Sequence, residues 1–213
     1  PKESVDALTM RANLGAALQE TGELEKAETE MRAVLDQRTR MLGATHPHRI
    51  RSMLRLARVL LRNGAYAEAH HLAAEALPLS IKVQGPSHID TLLLRILQAE
   101  SDFAFRPGPQ LTAVLDEAIS QGSATLGAQH PDVLRWILHR CELRTQPDAN
   151  HANQCRATLA ALGSRVGSRS PAHARGLESC ARLLLRRGDA AVALLLAGAA
   201  IDVRRAIQPA THP

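Results

Sequence analysis

A turn motif returns at a fixed interval along the sequence and limits what the chain can fold into. GATHP at residues 43–47 recurs 42 residues later as GPSH at 85–88, and after 42 more as GAQHP at 127–131. A weaker copy, GSRSP, occupies residues 167–171, and the chain ends on His212-Pro213. A fixed period of this length indicates a repeat architecture, in which each unit buries its apolar face against its neighbours.

A second series of markers has a similar period and lies between the copies of the first. Glycines that can adopt a left-handed conformation are expected to end helices, and an alanine five residues later allows two helices to approach closely. A proline in the first series is expected at the first position of the next helix, where its missing N–H costs nothing. The glycines are Gly22, Gly64 and Gly188, the alanines Ala27, Ala69 and Ala193, and the prolines Pro47, Pro131 and Pro171.

Between the markers the apolar residues recur every three or four positions, as in Leu8, Ala12, Gly15 and Leu18. This period of 3.6 predicts helices, and no useful stretch alternates with the period of a strand. The sequence therefore predicts an all-α fold, a right-handed α-solenoid of about five antiparallel helix pairs. The predicted pairs are 6–21 with 24–42, 48–63 with 66–84, 90–105 with 109–126, 132–145 with 149–166, and 172–187 with 190–207.

Composition agrees with closely packed helices and adds a chemical bias. Aromatic residues are only 2% of the chain, so Leu, Ala, Ile and Val must form the core. The net charge is +5, and only three of the 26 basic residues are lysines. Arginine offers a planar group of donors that fits carboxylates and phosphates. The three cysteines, Cys141, Cys155 and Cys180, form no CxxC pair and are expected to be buried free thiols, which favours a cytoplasmic location.

The five predicted helix pairs, most strongly the first two, resemble the 42-residue tetratricopeptide repeats of kinesin light chain, a variant also common in bacterial regulators. The resemblance rests on residues 12–15 (ANLG), Leu18, Gly22, residues 25–28 (EKAE), Arg38, residues 42–43 (LG) and residues 46–47 (HP). It implies one superhelical repeat domain, excised from a longer protein, with repeats at about 1–42, 43–84, 85–126, 127–167 and 168–213. It also implies a protein-interaction scaffold, such as the regulatory part of a bacterial signalling protein that carries a Ser/Thr kinase.

In this family the first helix of each pair lines a concave groove, where asparagines bind an extended peptide. Asn13 is the asparagine that this sequence keeps at such a position. Arginines at offsets of 0, 4, 7 and 11 fall on one side of the second pair's first helix. The fifth pair has arginines at three of the same offsets, and the fourth adds an arginine and a histidine. The predicted groove residues are Asn13, Arg51, Arg55, Arg58, Arg62, Arg135, His139, Arg175, Arg182 and Arg186.

Two interpretations of these arginine rows remain open. A row of like charges on one helix is not what helix stability favours, so a basic groove for an acidic or phosphorylated segment is one interpretation. The other is a solvated face, partly neutralised by glutamates of neighbouring helices such as Glu28, Glu68, Glu75 or Glu100.

Other functional classes find little support in the sequence. There is no catalytic motif, and the histidines of the turn marker are expected to cap helices, so we expect no enzyme, no cofactor and no metal site. No apolar run is long enough to cross a membrane. Nucleic-acid binding is an alternative that the basic charge permits but the scarcity of lysine and aromatic residues disfavours. A homodimer through the apolar last helix, residues 190–207, is a further alternative.

Overall fold

The computed structural model describes residues 4–143 and 146–207, and in these residues the chain is helical with no β-strand. Ten helices follow one another along these described residues, which confirms the predicted all-α repeat fold. The helices are α1 (Val5–Thr21), α2 (Leu24–Leu42), α3 (Pro47–Arg62), α4 (Tyr66–Gln84), α5 (Ile89–Phe105), α6 (Gln110–Leu126), α7 (Pro131–Glu142), α8 (Ala149–Val166), α9 (Pro171–Arg187) and α10 (Ala190–Ile207).

The histidines of the turn marker cap helices, as the sequence predicts. His46, His88 and His130 precede α3, α5 and α7, and the Nδ1 atom of each accepts a hydrogen bond from the backbone N–H two residues later. Each bond satisfies one of the N–H groups that a helix leaves unpaired at its first turn. His212, the last histidine of the series, lies outside the described residues.

The predicted glycine and proline markers also end and begin helices. Gly22, Gly64 and Gly188 have φ values of 89°, 80° and 94°, in the left-handed region where a Cβ atom would be strained. Pro47, Pro131 and Pro171 each lie at the start of a helix. The helix that was predicted over 132–145 ends at Glu142 in the structure, and residues 144 and 145 lie outside the described residues.

The described chain forms two compact units, Pro1–Val114 and Leu115–Pro213, and the boundary falls within α6. In unit 1 the central element is α3, whose Ile50, Met53 and Leu60 are completely buried. These residues pack with α2, α4 and α5 in two adjoining apolar clusters. Because burying each such side chain contributes about 1.5–3 kcal/mol, the opposite face of α3 is held in a fixed orientation.

Unit 2 is built around α9, and its core includes the interface of α7, α8 and α9. Gly176 lies there, and a Cβ atom at this position would be 3.0 Å from both Leu138 Cδ1 and Leu159 Cδ1. Trp136 of α7 is 5% exposed and lies against Gly122 of α6, so it belongs to the core.

The prediction of three free thiols is wrong for two of the cysteines. Cys155 of α8 and Cys180 of α9 form a disulfide with their Cα atoms 5.9 Å apart, while Cys141 of α7 is a buried thiol outside this disulfide. The three residues belong to one apolar cluster, so helix packing brings them together. Their separation in sequence gives no sign of this, since pairing depends on which faces of α8 and α9 meet. The argument from unpaired cysteines to the cytoplasm is therefore weakened.

None of the helices in the described ranges is both long and apolar enough to cross a membrane.

Candidate functional site

The four arginines predicted on one side of α3 do share a face. Arg51, Arg55 and Arg58 are half-buried and Arg62 is exposed, while the residues between them form the core of unit 1. We call Arg51, Arg55, Arg58 and Arg62 the α3 arginine row. Packing of the opposite face therefore fixes the position of the row.

Contacts with neighbouring helices hold the row in place. Arg51 Nε lies 3.0 Å from Asp90 Oδ2 of α5, and the Asp90 side chain is only 7% exposed. Arg55 Nη1 donates to the amide oxygen of Asn13 on α1 over 3.3 Å. Arg62 Nη1 donates over 2.6 Å to the backbone carbonyl of Gln19, near the end of α1. The row thus joins α1, α3 and α5, the first helices of the first three pairs.

A fifth arginine, which the sequence analysis did not place in the site, lies beneath this surface. Arg38 of α2 is 2% exposed. Its Nη1 donates to Ser52 Oγ over 2.9 Å and to the carbonyl of His48 over 3.3 Å, and its Nη2 donates to Thr9 Oγ1 over 3.1 Å. Its Nε has no hydrogen-bond partner in the described part of the chain. Arg38 is therefore a buried cation whose contacts are all neutral.

The electrostatic effect of this arrangement is visible in the pKa directions. Burial, followed by the charges of Arg55 and Arg51, lowers the pKa of Arg38. Burial and the charge of Arg51 lower the pKa of Arg55, and Asp90 opposes this only in part. Burial, together with the charges of Arg38, His46 and Arg51, also lowers the pKa of His48. The positive charges of neighbouring arginines therefore add to burial in lowering the pKa of Arg38, Arg55 and His48.

The positive charge of this surface is only partly neutralised. Among the described residues, Asp90 is the one carboxylate that forms an ion pair with Arg38, Arg51 or Arg55. The three arginines thus exceed their bound carboxylate by two charges. Since buried charges are normally paired, such an excess indicates a place where an anion is favourable.

The glutamates that the sequence suggested as neutralising groups bind other arginines. Glu28 and Glu68 both contact Arg32, at 2.9 Å and 2.6 Å, and Glu75 contacts Arg49 at 3.0 Å. These three glutamates are therefore used for ion pairs outside the α3 arginine row. Three of the four counter-charges proposed for the solvated-face interpretation are thus engaged elsewhere, and Asp90 supplies one that the sequence analysis did not identify.

The basic row predicted in unit 2 has a different environment. Arg135 of α7 pairs with Asp132, and Arg182 Nε of α9 lies 2.6 Å from Glu142 Oε1. The same Glu142 accepts a hydrogen bond of 2.9 Å from the buried Ser179. His139 and Arg175 are half-buried and Arg186 is exposed. Two of the unit 2 arginines are thus neutralised by carboxylates on α7, so the candidate site is the surface of unit 1.

The described residues offer little for other kinds of site. They contain no group of three or more His, Cys, Asp or Glu side chains placed to hold a metal ion. Of the four aromatic residues in the sequence, Phe105 alone is more than half exposed, at 59%, and it packs edge to face against Tyr66. One mostly exposed ring, packed against a partly exposed one, gives little for the stacking of successive bases.

The first part of the chain matches a known family. Residues 6–82, which span α1 to α4, match the tetratricopeptide repeat family model. This segment contains Arg38, Asn13 and the α3 arginine row.

Two solved structures have a similar fold. The first is a protein from Podosopora anserina that is described as kinesin light chain with nearly identical TPR-like repeats. It has a TM-score of 0.61 and 20% identity, with 98% of this chain and 100% of that chain covered. The second is BtubC (BKLC) from P. vanneervenii, with a TM-score of 0.62 and 18% identity over 98% of this chain and 82% of that chain. No curated protein sequence matches this chain. At these identities the likeness is one of fold.

Proposed function

We propose that the chain is a protein-interaction module that binds an acidic segment of a partner protein, because residues 6–82 match the tetratricopeptide repeat family model. The binding surface is formed by the α3 arginine row with Asn13, and Arg38 contributes its charge from below. The observation that carries the proposal is the excess of positive charge at Arg38, Arg51 and Arg55, of which, within the described residues, Arg51 alone is paired with a carboxylate, that of Asp90.

The chemistry of the surface fits a carboxylate-bearing ligand. Arg55 has a single hydrogen bond, to a neutral amide oxygen, so most of its donors are available to a ligand. Arg51 uses its Nε for Asp90 and keeps its two terminal nitrogens. Hydrogen bonds between arginine and carboxylate contribute more than neutral ones, about 1.5–3 kcal/mol each. Two such contacts are sufficient for a specific, salt-dependent interaction with a flexible segment.

The experiment is fluorescence anisotropy of this chain with labelled peptides of equal length, one rich in glutamate and one in which glutamine replaces glutamate. We expect the acidic peptide to bind selectively, more weakly at high salt, and not to be displaced by a single-stranded oligonucleotide. The double variant Arg55→Glu, Arg58→Glu should abolish the selectivity. The matched control is Arg156→Glu, Arg165→Glu, which makes the same charge change at exposed positions of α8. Equal loss in both variants, or no binding of either peptide, would refute the proposal.

Self-association is a second candidate, favoured by the outer face of α10. Leu194 and Leu195 are 75% and 73% exposed, Ile201 is 49% exposed, and Leu185 of α9 is 61% exposed. Gly198 lies on the same helix, and a Cβ atom there would meet nothing within 4 Å. An apolar face with a glycine at its centre suits close packing against α10 of a second copy. Light scattering over a range of concentrations tests this, and a strict monomer at high concentration would refute it.

A further inference from the structure

We infer that the centre of the unit 1 surface, at Arg55, takes a phosphorylated side chain, a phosphate monoester that carries two negative charges. This inference rests on the proposed function and specifies its ligand. Four observations support it: the number of unneutralised charges, the identity of the available hydrogen-bond donors, the burial of Arg38, and the contrast with unit 2.

The count of charges favours a dianion over a carboxylate. Arg51 is neutralised by Asp90, which leaves the charges of Arg38 and Arg55 without a bound carboxylate. A glutamate or aspartate side chain would cancel one of these two charges. A phosphate monoester carries about −1.5 to −2 at neutral pH and would cancel both.

The donors around Arg55 fit a group that only accepts hydrogen bonds. Arg55 itself has one contact, through Nη1 to Asn13 Oδ1. Because Asn13 uses its oxygen for Arg55 and is exposed, its amide N–H groups are directed away from that bond and can donate. Arg51, one turn before Arg55, adds its terminal nitrogens. A fully deprotonated phosphate monoester offers three acceptor oxygens to this set, whereas a carboxylate offers two.

Arg38 makes the site permanently positive without contacting the ligand. This arginine is only 2% exposed. Its hydrogen-bond partners are Ser52, Thr9 and the backbone carbonyl of His48, and all three are neutral. The groups that it contacts belong to α1 and α3, the same two helices that present Asn13 and Arg55. A buried charge acts through a medium of lower polarity than water, so its effect on a nearby anion is stronger than that of an exposed arginine.

The arginines predicted in unit 2 provide a comparison in which carboxylates reduce the excess of positive charge. There Asp132 and Glu142 contact Arg135 and Arg182, and Glu142 also accepts from Ser179. A phosphate at this position would meet those carboxylates. In the part of the chain that the structure describes, the unit 1 surface therefore has two cations, Arg38 and Arg55, without a bound carboxylate, whereas in unit 2 carboxylates pair with Arg135 and Arg182.

A nucleic acid is a poorer match for the same chemistry. Its backbone phosphates are diesters, and each carries a single negative charge. An oligonucleotide is therefore expected to compete weakly with a phosphate monoester, and it serves as one arm of the test.

The test uses three labelled peptides that differ only at a central residue, which is serine, glutamate or phosphoserine, in a background with two further glutamates. We expect the phosphoserine peptide to bind at least about tenfold more tightly than the glutamate peptide by anisotropy. Arg55→Met should remove this preference while leaving the weaker glutamate-dependent binding. Arg156→Met, which removes an exposed charge on α8, should leave the preference unchanged.

A variant with the opposite effect makes the test stricter. Asp90→Asn removes the carboxylate that binds Arg51 and raises the excess from two charges to three. It should tighten binding of the phosphoserine peptide by severalfold and should affect the serine peptide much less. Free phosphoserine should shift the Nε–Hε signal of Arg55 in a nitrogen-proton correlation spectrum, which reports the site even if a variant is unstable.

The outcomes separate this inference from the proposed function. If the glutamate peptide binds as tightly as the phosphoserine peptide and both depend on Arg55, the site takes carboxylates, so the inference is wrong and the proposed function stands. If no peptide binds to the wild-type chain, both are wrong. If the oligonucleotide displaces the phosphoserine peptide at comparable concentration, the surface binds nucleic-acid phosphates and the inference is overturned.

Discussion

The contact between Gly122 and Trp136 gives a direct test of the packing in unit 2. A Cβ atom built on Gly122 of α6 would lie 2.6 Å from Trp136 Cζ3 and 3.1 Å from Val133 Cγ2, where ordinary contacts begin near 3.4 Å. In Gly122→Ala the indole ring must therefore retreat by about 0.8 Å within a core that is packed like a crystal. Overpacking of this kind costs about 1–3 kcal/mol.

The same substitution also has a favourable effect, which a second glycine isolates. Alanine stabilises a helix interior relative to glycine by about 0.5–1 kcal/mol. Gly198 of α10 is such a position, and nothing lies within 4 Å of the added Cβ atom. We therefore expect Gly198→Ala to raise the free energy of unfolding by about 0.5–1 kcal/mol. The free energy of unfolding of Gly122→Ala should be lower than that of Gly198→Ala by about 1–3 kcal/mol, which is the steric cost alone.

Two measurements check this prediction. Urea unfolding followed by circular dichroism gives the free energies of the two variants and of the wild type. The chain has a single tryptophan, so its fluorescence reports this site alone. We expect the emission maximum to change in Gly122→Ala and to stay unchanged in Gly198→Ala. If the two variants have equal stability and identical emission, Trp136 does not pack on Gly122 and the described core of unit 2 is wrong.

Three further predictions follow from single contacts. Arg38→Met should change the free energy of unfolding by less than about 1 kcal/mol. The substitution loses the hydrogen bonds to Ser52, Thr9 and the His48 carbonyl, but it also removes an unpaired buried charge. A loss above about 3 kcal/mol in a urea titration would contradict this. Alkylation of the unfolded, unreduced chain should add one label, at Cys141, and mass spectrometry showing three labels would refute the disulfide. Burial lowers the pKa of His173, so the unfolded state binds its proton more readily and stability should fall as the pH drops below about 6.5. His173→Gln should weaken that pH dependence in urea titrations at pH 7.5 and 5.5, and an unchanged slope would show that the His173 side chain is not buried.

Sequence reasoning succeeded where local chemistry sets the structure. The histidine before α3, α5 or α7 can cap a helix because its Nδ1 atom reaches a backbone N–H only two residues away. The glycines at the helix ends are needed for their left-handed conformation, whatever the rest of the chain does. Such short-range requirements can be recognised without knowledge of the tertiary structure. The repeat period then predicts the same requirement at each equivalent position of the chain.

It failed where the partner lies far away in the sequence. Arg51 pairs with Asp90, which is 39 residues away, and Cys155 bonds to Cys180, which is 25 residues away. Arg38 could have been found, since it continues the apolar stripe of Ala27, Met31 and Val34 on α2. An arginine in the position of a core residue signals a buried charge. The sequence could not show whether a carboxylate would be buried beside Arg38.

The comparison of the two units shows why a row of arginines does not by itself define a binding site. Arg135 and Arg182 occupy positions in the repeats that correspond to members of the α3 arginine row. In unit 2, Asp132 pairs with Arg135 and Glu142 pairs with Arg182. In unit 1, Asp90 pairs with Arg51, and Arg38 and Arg55 have no bound carboxylate among the described residues. Two surfaces with similar rows of arginines therefore differ in the charge that they offer to a ligand. The number of carboxylates that the fold brings to each row, rather than the number of arginines, determines which surface is prepared for an anionic partner.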